Sequence, residues 1–230
     1  MTKLYRTDDV FTIKLPKSDI VFTRYLYLKD EVKLSLMLNI LQKHNDAIFW
    51  AYELYYSGFK NELYDLIWKI YYDFFAIINP GFEAYLFKRY SEFVSSKGSV
   101  KHISSIIQDL IIRPLNTDIF LLRKVCELFE IECVTNNKIN TIDELYKNLK
   151  IWINEKDYRS ISNFILNESK NFNTADIYKI FLEIYEIKSG EKLLKNFDKI
   201  QKINIKINPN KILLSKIMTL ISNNKEGKKF

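Results

Sequence analysis

Hydrophobic side chains recur at helical spacing along most of the chain, from about residue 30 to about residue 222. Ile103, Ile107 and Leu110 follow one another at intervals of three or four residues, which places them on a single face of a helix. Capping residues, prolines and glycines divide this pattern into about ten helices with short connections. Such an order of elements is typical of an all-α fold, either an irregular helical bundle or a helix-pair, HEAT-like solenoid.

The ends of these helices are predicted from local signals. The most specific one is the capping box that Thr141 forms with Glu144, and Gly58 and Pro80 mark two of the ends. The predicted helices cover residues 30–43, 46–57, 61–78, 82–96, 99–113, 117–129, 141–152, 157–169, 174–190, 191–200 and 209–221.

Two parts of the chain depart from helical spacing. Residues 1–28 contain two β-branched and aromatic runs, 10–14 and 20–25, with Pro16 between them, which predicts an extended or β-hairpin arm. Isoleucines alternate with polar residues over 203–207, so this segment is a candidate strand.

Composition divides the helical region into two parts. Residues 29–134 form an aromatic-rich bundle and residues 141–222 an Ile/Lys/Asn-rich part, which we expect to pack together as one unit, followed by a basic tail at 223–230. Of the 34 Phe, Trp and Tyr residues, 17 lie between 49 and 93. Such density favours a helical core or a protein interface. The candidate partner-binding aromatics are Trp50, Tyr52, Tyr55 and Tyr56.

The net charge of +7 is concentrated at the C-terminal end. Residues 188–230 contain 11 Lys and 3 acidic residues, whereas the first 187 residues contain 24 basic and 25 acidic residues. Lysines interleaved with apolar residues are compatible with RNA or DNA binding through phosphates, and equally with solvated helix faces. The candidate nucleic-acid contacts are Lys206, Lys211, Lys216, Lys225, Lys228 and Lys229.

Residues with catalytic chemistry are few. The two histidines, His44 and His102, fit surface or capping positions, and Cys126 and Cys133 match no zinc spacing. The five glycines are isolated, which excludes a usual phosphate-binding loop or dinucleotide fingerprint. We therefore expect a protein without enzymatic activity, cofactor or metal.

The compartment is predicted from features that the sequence lacks. No apolar run approaches the roughly 20 residues that span a bilayer, and the first residues show no signal-peptide core. The 2 cysteines are too few for a disulfide scaffold. We expect an intracellular protein in a reducing compartment, with no membrane partner.

Three segments carry a resemblance to known proteins: AIFWAYELYYSGF at 47–59, IWKIYYDF at 67–74 and RPLNTDIF at 113–120. They resemble segments of uncharacterised proteins of giant DNA viruses of protists, whose AT-rich genomes fit the abundance of Ile, Lys and Asn. The resemblance covers about residues 5–130 and brings no assigned catalytic residues. It implies a virus-encoded protein of the host cytoplasm or viral factory.

A second resemblance concerns translation. Helix-pair solenoids of this size resemble the middle domain of the scaffold subunit in the cap-binding initiation complex. Peptides that bind the cap-recognising subunit carry a tyrosine, four variable residues, a leucine and a hydrophobic residue. Tyr5, Val10 and Phe11 match this spacing, with Val10 in place of the leucine.

Three hypotheses of function remain open at this point. The leading one is a non-enzymatic viral adaptor or scaffold that binds a protein partner, in its most specific form within a translation-initiation or mRNA-associated complex. The second is a nucleic-acid-binding protein that acts through the Lys-rich C-terminal region. The third is a carboxylate-dependent metalloenzyme, in which Asp65 and Asp73, eight residues apart, share a helix face and bind Mg²⁺ or Mn²⁺.

Overall fold

Eleven α-helices make up most of the chain that the structure, a computed structural model, describes. The described residues are 20–128, 139–187, 189–203 and 205–225. Within them there is no β-strand, only one antiparallel bridge between Phe22 and Leu28, so the prediction of an all-α fold is confirmed. The helices are α1 Lys29–Leu41, α2 Ala47–Tyr56, α3 Lys60–Ile70, α4 Phe82–Ser95, α5 Ile103–Ile112, α6 Asp118–Leu128, α7 Ile142–Glu155, α8 Tyr158–Asn163, α9 Thr174–Ile184, α10 Gly190–Gln201 and α11 Pro209–Lys225.

Two helices continue into five-residue π-helices: α3 into Tyr71–Phe75 and α8 into Phe164–Glu168. In the first, four of the five side chains are buried, all of them Tyr or Phe. Both π-helices pack against α11. Most side chains of α11 between Ile212 and Ile221 are buried, including the polar Ser215 and Thr219, so the segments around it enclose the C-terminal helix.

One hydrophobic core cluster extends from Val32 in α1 to Ile221 in α11. Its largest fully buried side chains include Trp68 and Tyr64 of the aromatic tract and Phe164 and Phe181 of the C-terminal part. The residues on both sides of the 129–138 segment, which lies outside the described residues, therefore share a core.

Several predicted boundaries agree with the structure and others need correction. The capping box is confirmed, because the Thr141 hydroxyl accepts from the Glu144 N–H and the Glu144 carboxylate accepts from the Thr141 N–H. Helix α5 begins at Ile103 instead of Ser99, and α9 ends at Ile184 instead of Gly190. At Gly190 a new helix begins, so the glycine does not end one.

The described residues of the candidate strand, 203 and 205–207, do not lie in a strand. The backbone N–H of Lys206 donates to the Asp65 carboxylate at 2.9 Å, and the isoleucines at 203, 205 and 207 pack half-buried against the core. The alternation of apolar and polar residues thus reflects burial of the isoleucine side chains, without strand pairing among these described residues. In the predicted arm, residues 20–28 form a tight turn, whereas the 10–14 run lies outside the described residues.

Candidate functional site

A tight loop of residues 22–28 precedes α1 and displays apolar side chains. The Thr23 N–H donates to the Tyr27 carbonyl and the Leu26 N–H to the Thr23 carbonyl, each at 2.9 Å. Leu26 has a φ of +63° at the tip of the loop, and its side chain is 78% exposed. A large apolar residue is thus held in a left-handed conformation with most of its surface in water.

Leu26 is the one left-handed non-glycine residue of the described chain that does not follow the end of a helix. The four other non-glycine residues with positive φ, Lys43, Lys97, Lys156 and Glu186, each follow the end of an α-helix, where a left-handed residue closes the last turn. Leu26 closes no helix. Backbone strain of this kind, about 1–2 kcal/mol for a non-glycine residue, is often found at binding loops.

A buried carboxylate, that of Glu53 in α2, holds the loop in place. Its side chain is fully buried and accepts hydrogen bonds from Arg24 Nε at 3.0 Å, the Tyr25 N–H at 3.2 Å and Ser57 Oγ at 3.4 Å. Burial by itself would raise the pKa of Glu53, but the hydrogen bonds from Arg24 and Tyr25 and the charge of Arg24 outweigh it, so the pKa lies below its ordinary value. Glu53 is therefore ionised at neutral pH and fixes the loop against α2.

The loop and α2 together form a surface that we call the aromatic face. Its exposed members are Phe22, Tyr25, Leu26, Tyr27, Phe49 and Tyr56, and Trp50 and Tyr52 are half-buried between them.

Five rings of the aromatic face contact at least one other ring of it. Tyr27 and Phe49 meet Trp50 edge-on, with centroids 5.4 and 4.9 Å apart, and Tyr52 stacks on Tyr56 at 5.9 Å. The Arg24 guanidinium lies 4.6 Å from the Tyr25 ring and 4.8 Å from the Tyr56 ring. These contacts give the face a defined shape and one exposed positive charge.

The structure brings three of the predicted partner-binding residues, Trp50, Tyr52 and Tyr56, onto this face. Tyr55 lies behind it, because its ring is buried and its hydroxyl donates to the Gly98 carbonyl at 2.6 Å. The other three, Tyr5, Val10 and Phe11, lie outside the described residues. The predicted site residues do not include residues 22–27, Phe49 or Glu53. For Glu53 the sequence does carry a signal, because it is a carboxylate inside the apolar run of α2.

The three predicted nucleic-acid-binding lysines whose side chains are described do not lie in one place. The Lys216 ammonium pairs with Glu83, and that of Lys211 lies 3.4 Å from the Glu127 carboxylate. Lys206 is exposed and unpaired, whereas the side chains of Lys225, Lys228 and Lys229 are outside the described part. Of the six, only Lys206 is thus seen with a free ammonium group.

The pair between Glu83 and Lys216 is part of a buried polar cluster. Glu83 is 8% exposed and also accepts from the Tyr72 hydroxyl at 2.9 Å. Burial, and then the Glu83 charge, raises the pKa of Tyr72 well above its ordinary value. Because Glu83 lies in α4, Lys216 in α11 and Tyr72 in a π-helix, the cluster links three core segments.

The carboxylates of the metal-site hypothesis have other partners. Asp73 receives two hydrogen bonds from Arg123, at 3.1 and 2.6 Å, and Asp65 accepts from the Lys206 backbone. Within the described ranges, no three His, Cys, Asp or Glu side chains are placed to hold a metal ion. This geometry gives no support to a shared metal site of Asp65 and Asp73.

The histidines and the described cysteine have structural contacts. His102 Nε2 lies 2.9 Å from the Glu92 carboxylate, and His44 is exposed. Cys126 is buried, which raises the pKa of its thiol. Cys133 lies outside the described residues. No nucleophile and base are brought together among these groups.

Comparison with known proteins returned no matching protein family, no similar curated protein and no similar solved structure. Among the helices of the described residues, none combines the length and the apolar character needed to cross a bilayer.

Proposed function

We propose that this chain is a non-enzymatic adaptor or scaffold that binds a protein partner through the aromatic face. The observation that carries the proposal is the Leu26 tip, which is strained, 78% exposed and held from behind by a fully buried glutamate. Exposed apolar groups that are rigidly presented are typical of protein-binding surfaces. The ion pair of the partly exposed Arg24 with the buried Glu53 stabilises a loop whose outer side chains are exposed.

The shape of the face defines the partner. Leu26 projects from the surface, so the partner needs a concave apolar pocket, and the aromatic rings around it supply flat contact area. Arg24, whose side chain is 39% exposed, favours an acidic group at the rim of that pocket. We assign the partner to proteins with an apolar pocket bordered by Asp or Glu.

The proposal is tested by capture from a nuclease-treated cell extract with the immobilised chain. Leu26→Asp places a charge at the centre of the contact, and we expect it to lose the stoichiometric partner that the wild-type chain retains. Ile151→Asp is the matched control, because Ile151 is 50% exposed in α7, outside the aromatic face. A partner retained by Leu26→Asp, or lost equally with Ile151→Asp, would contradict the proposal.

The finer form of the proposal is a virus-encoded protein of a translation-initiation or mRNA-associated complex in the host cytoplasm or viral factory. It rests on the sequence resemblances and on the spacing of Tyr5, Val10 and Phe11. The same capture with Tyr5→Ala combined with Phe11→Ala addresses it. If a cap-binding subunit is the partner, this variant loses it; unchanged capture of that subunit removes the translation form and leaves the adaptor.

A further inference from the structure

Two adjoining cavities border α4 on the side where α10 ends. The first, about 660 Å³, is lined by Lys60, Lys97 and Lys206, and the second, about 510 Å³, by Lys199 and Lys202. Both have Tyr90 and Val94 as walls, so they meet on the surface of α4. We call the two together the basic cleft.

The lysines of the basic cleft come from four separate parts of the chain. Lys60 begins α3, Lys97 follows α4, Lys199 and Lys202 lie at the end of α10, and Lys206 is in the segment before α11. In the described chain no carboxylate pairs with any of these five ammonium groups. Lysine side chains from four segments thus line the cleft without a direct ion pair to any of them.

Two carboxylates line the same cleft, but both are already engaged. Glu62 pairs with two lysines of α1, Lys29 and Lys33. Asp65 is 8% exposed and accepts the Lys206 N–H. The charge of Glu62 is compensated by its own two lysines, and that of Asp65 offsets only one of the five cleft lysines, so the cleft keeps an excess of positive charge.

Helix α10 extends this positive surface. Lys192, Lys195, Lys199 and Lys202 follow one another at three- and four-residue intervals and are all exposed, so they form one stripe. At a rise of about 1.5 Å per residue, the stripe is about 15 Å long with one charge every 4.5–6 Å or so. A nucleic-acid strand carries one phosphate per roughly 3.4 Å of helix axis, which gives about one lysine for every one to two phosphates.

We propose that the basic cleft and the α10 stripe bind single-stranded nucleic acid through its phosphates, without base readout. Lysine is a compact point charge that neutralises phosphates but does not match base edges as arginine does, and the cleft contains no arginine. The half-buried Phe59 and Phe87 and the exposed Val94 supply apolar surface between the lysines, against which unpaired bases pack. This inference does not depend on the aromatic face or on its protein partner.

The test is fluorescence anisotropy of the full chain with a labelled oligouridine of about 20 nucleotides, at salt concentrations from about 0.05 to 0.3 M. Seven phosphate contacts on a single strand, from the five cleft lysines and from Lys192 and Lys195 of the stripe, give a slope of log K against log salt of about −4.9. Replacing Lys97, Lys199, Lys202 and Lys206 by Gln is expected to reduce the slope to about −2.1 and to weaken binding more than 100-fold at about 0.1 M salt.

The control removes the same charge elsewhere. Lys43, Lys147, Lys156 and Lys170 are exposed and line neither cavity, so their replacement by Gln is expected to leave the slope within about one unit of wild type. The double variant of Lys199 and Lys202 alone is expected to reduce the slope by about 1.4 and serves if the fourfold variant is unstable. Circular dichroism checks that each variant is folded.

Three results would overturn the inference: a wild-type slope retained by the cleft variants, an equal loss in the control variant, or polyglutamate competing as well as oligouridine at equal charge. The first places binding in other residues, such as the basic tail. The third makes the ligand an acidic peptide instead of a nucleic acid.

Discussion

Replacing Glu53 by Gln is the most direct test of how the aromatic face is held in place. Glutamine keeps the size of glutamate and one acceptor oxygen but substitutes an NH₂ group for the other. The carboxylate accepts from both Arg24 Nε and the Tyr25 N–H, so one of these donors loses its acceptor and faces another donor. The amide also loses the charge attraction of Arg24.

The expected loss of unfolding free energy follows from the burial of the Glu53 side chain. A buried donor left without an acceptor costs about 1–3 kcal/mol, and the Arg24 side chain, which is 39% exposed, regains part of its interaction from water. We therefore expect Glu53→Gln to lower the free energy of unfolding by about 2 kcal/mol. Glu62→Gln is the control, since Glu62 is more than one third exposed in its pairs with lysines and we expect a cost below about 1 kcal/mol.

Urea unfolding followed by tryptophan fluorescence measures the free energy, and hydrogen exchange of residues 22–28 measures the loop. We expect the Tyr25 amide to exchange faster in Glu53→Gln, and the core amides that exchange through global unfolding to exchange faster only by the factor that corresponds to about 2 kcal/mol. A lowered pKa means that the contribution of Glu53 is complete above its ordinary value of 4.5 and is lost as the pH falls below it. The free energies of unfolding of the variant and the wild type should thus become equal in acid. A loss of less than about 0.5 kcal/mol at pH 7, together with unchanged hydrogen exchange of the Tyr25 amide, would refute the reasoning.

Two further predictions concern local features of the fold. Lys156 follows the last residue of α7 at φ 58° and ψ 30°, with an exposed side chain, so Lys156→Gly should raise the free energy of unfolding by about 0.5–1 kcal/mol. Lys147→Gly, inside α7, should instead lower the free energy of unfolding by about 0.8 kcal/mol. Urea titration of both variants distinguishes relief of the left-handed conformation from a general effect of glycine. Burial alone would raise the pKa of Glu127, but hydrogen bonds from Lys124 and Arg123 lower it from 4.5 to about 2. The free energy of unfolding should therefore fall as the pH is lowered from about 4.5 to 2, by less than about 1 kcal/mol for this partly exposed group. Glu127→Gln should reduce this fall. An equally steep fall in the variant would contradict the assignment of the pH dependence to Glu127.

Most of the fold could be predicted because each helix buries one face and therefore shows it as a spacing of apolar residues. Helix α4, predicted over 82–96, is observed at Phe82–Ser95, and the capping box at Thr141 begins α7 as expected. The π-helices could not be predicted. Within Tyr71–Phe75 nearly every residue is apolar, so the pattern has no polar side that would show the change in helical winding.

Failures at the boundaries have a physical cause too. The sequence predicts a helix end at Gly190, because glycine adopts the left-handed conformation easily. The chain instead ends α9 with Glu186 in that conformation, and Gly190 begins α10. With only five glycines in the sequence, four helices are followed by a left-handed lysine or glutamate, and glycine is a poor guide to where they end.

The candidate site could be predicted only in part, because burial and partner binding both favour aromatic residues. Tyr55 and Tyr56 are adjacent in the sequence, yet the first is 7% exposed and the second 54%. Helical spacing places them on different sides of α2, but which side faces the core depends on α1, α3 and α5, which pack around it. Residues 22–27 belong to the aromatic face because Arg24 and Tyr25 donate hydrogen bonds to Glu53. These contacts join positions about 30 residues apart, so the local sequence pattern does not show them.

The aromatic face and the basic cleft share no residue, so the two proposals can be separated by mutation. The first is built from residues 22–27 and α2, and the second from α3, α4, α10 and the segment before α11. Leu26→Asp should leave the salt dependence of oligonucleotide binding unchanged, since Leu26 lines neither cavity. If the chain binds a protein partner at the aromatic face and single-stranded nucleic acid at the basic cleft, it links that partner to the nucleic acid. The mRNA-associated form of the adaptor requires both surfaces at once, whereas a pure protein scaffold requires the aromatic face alone.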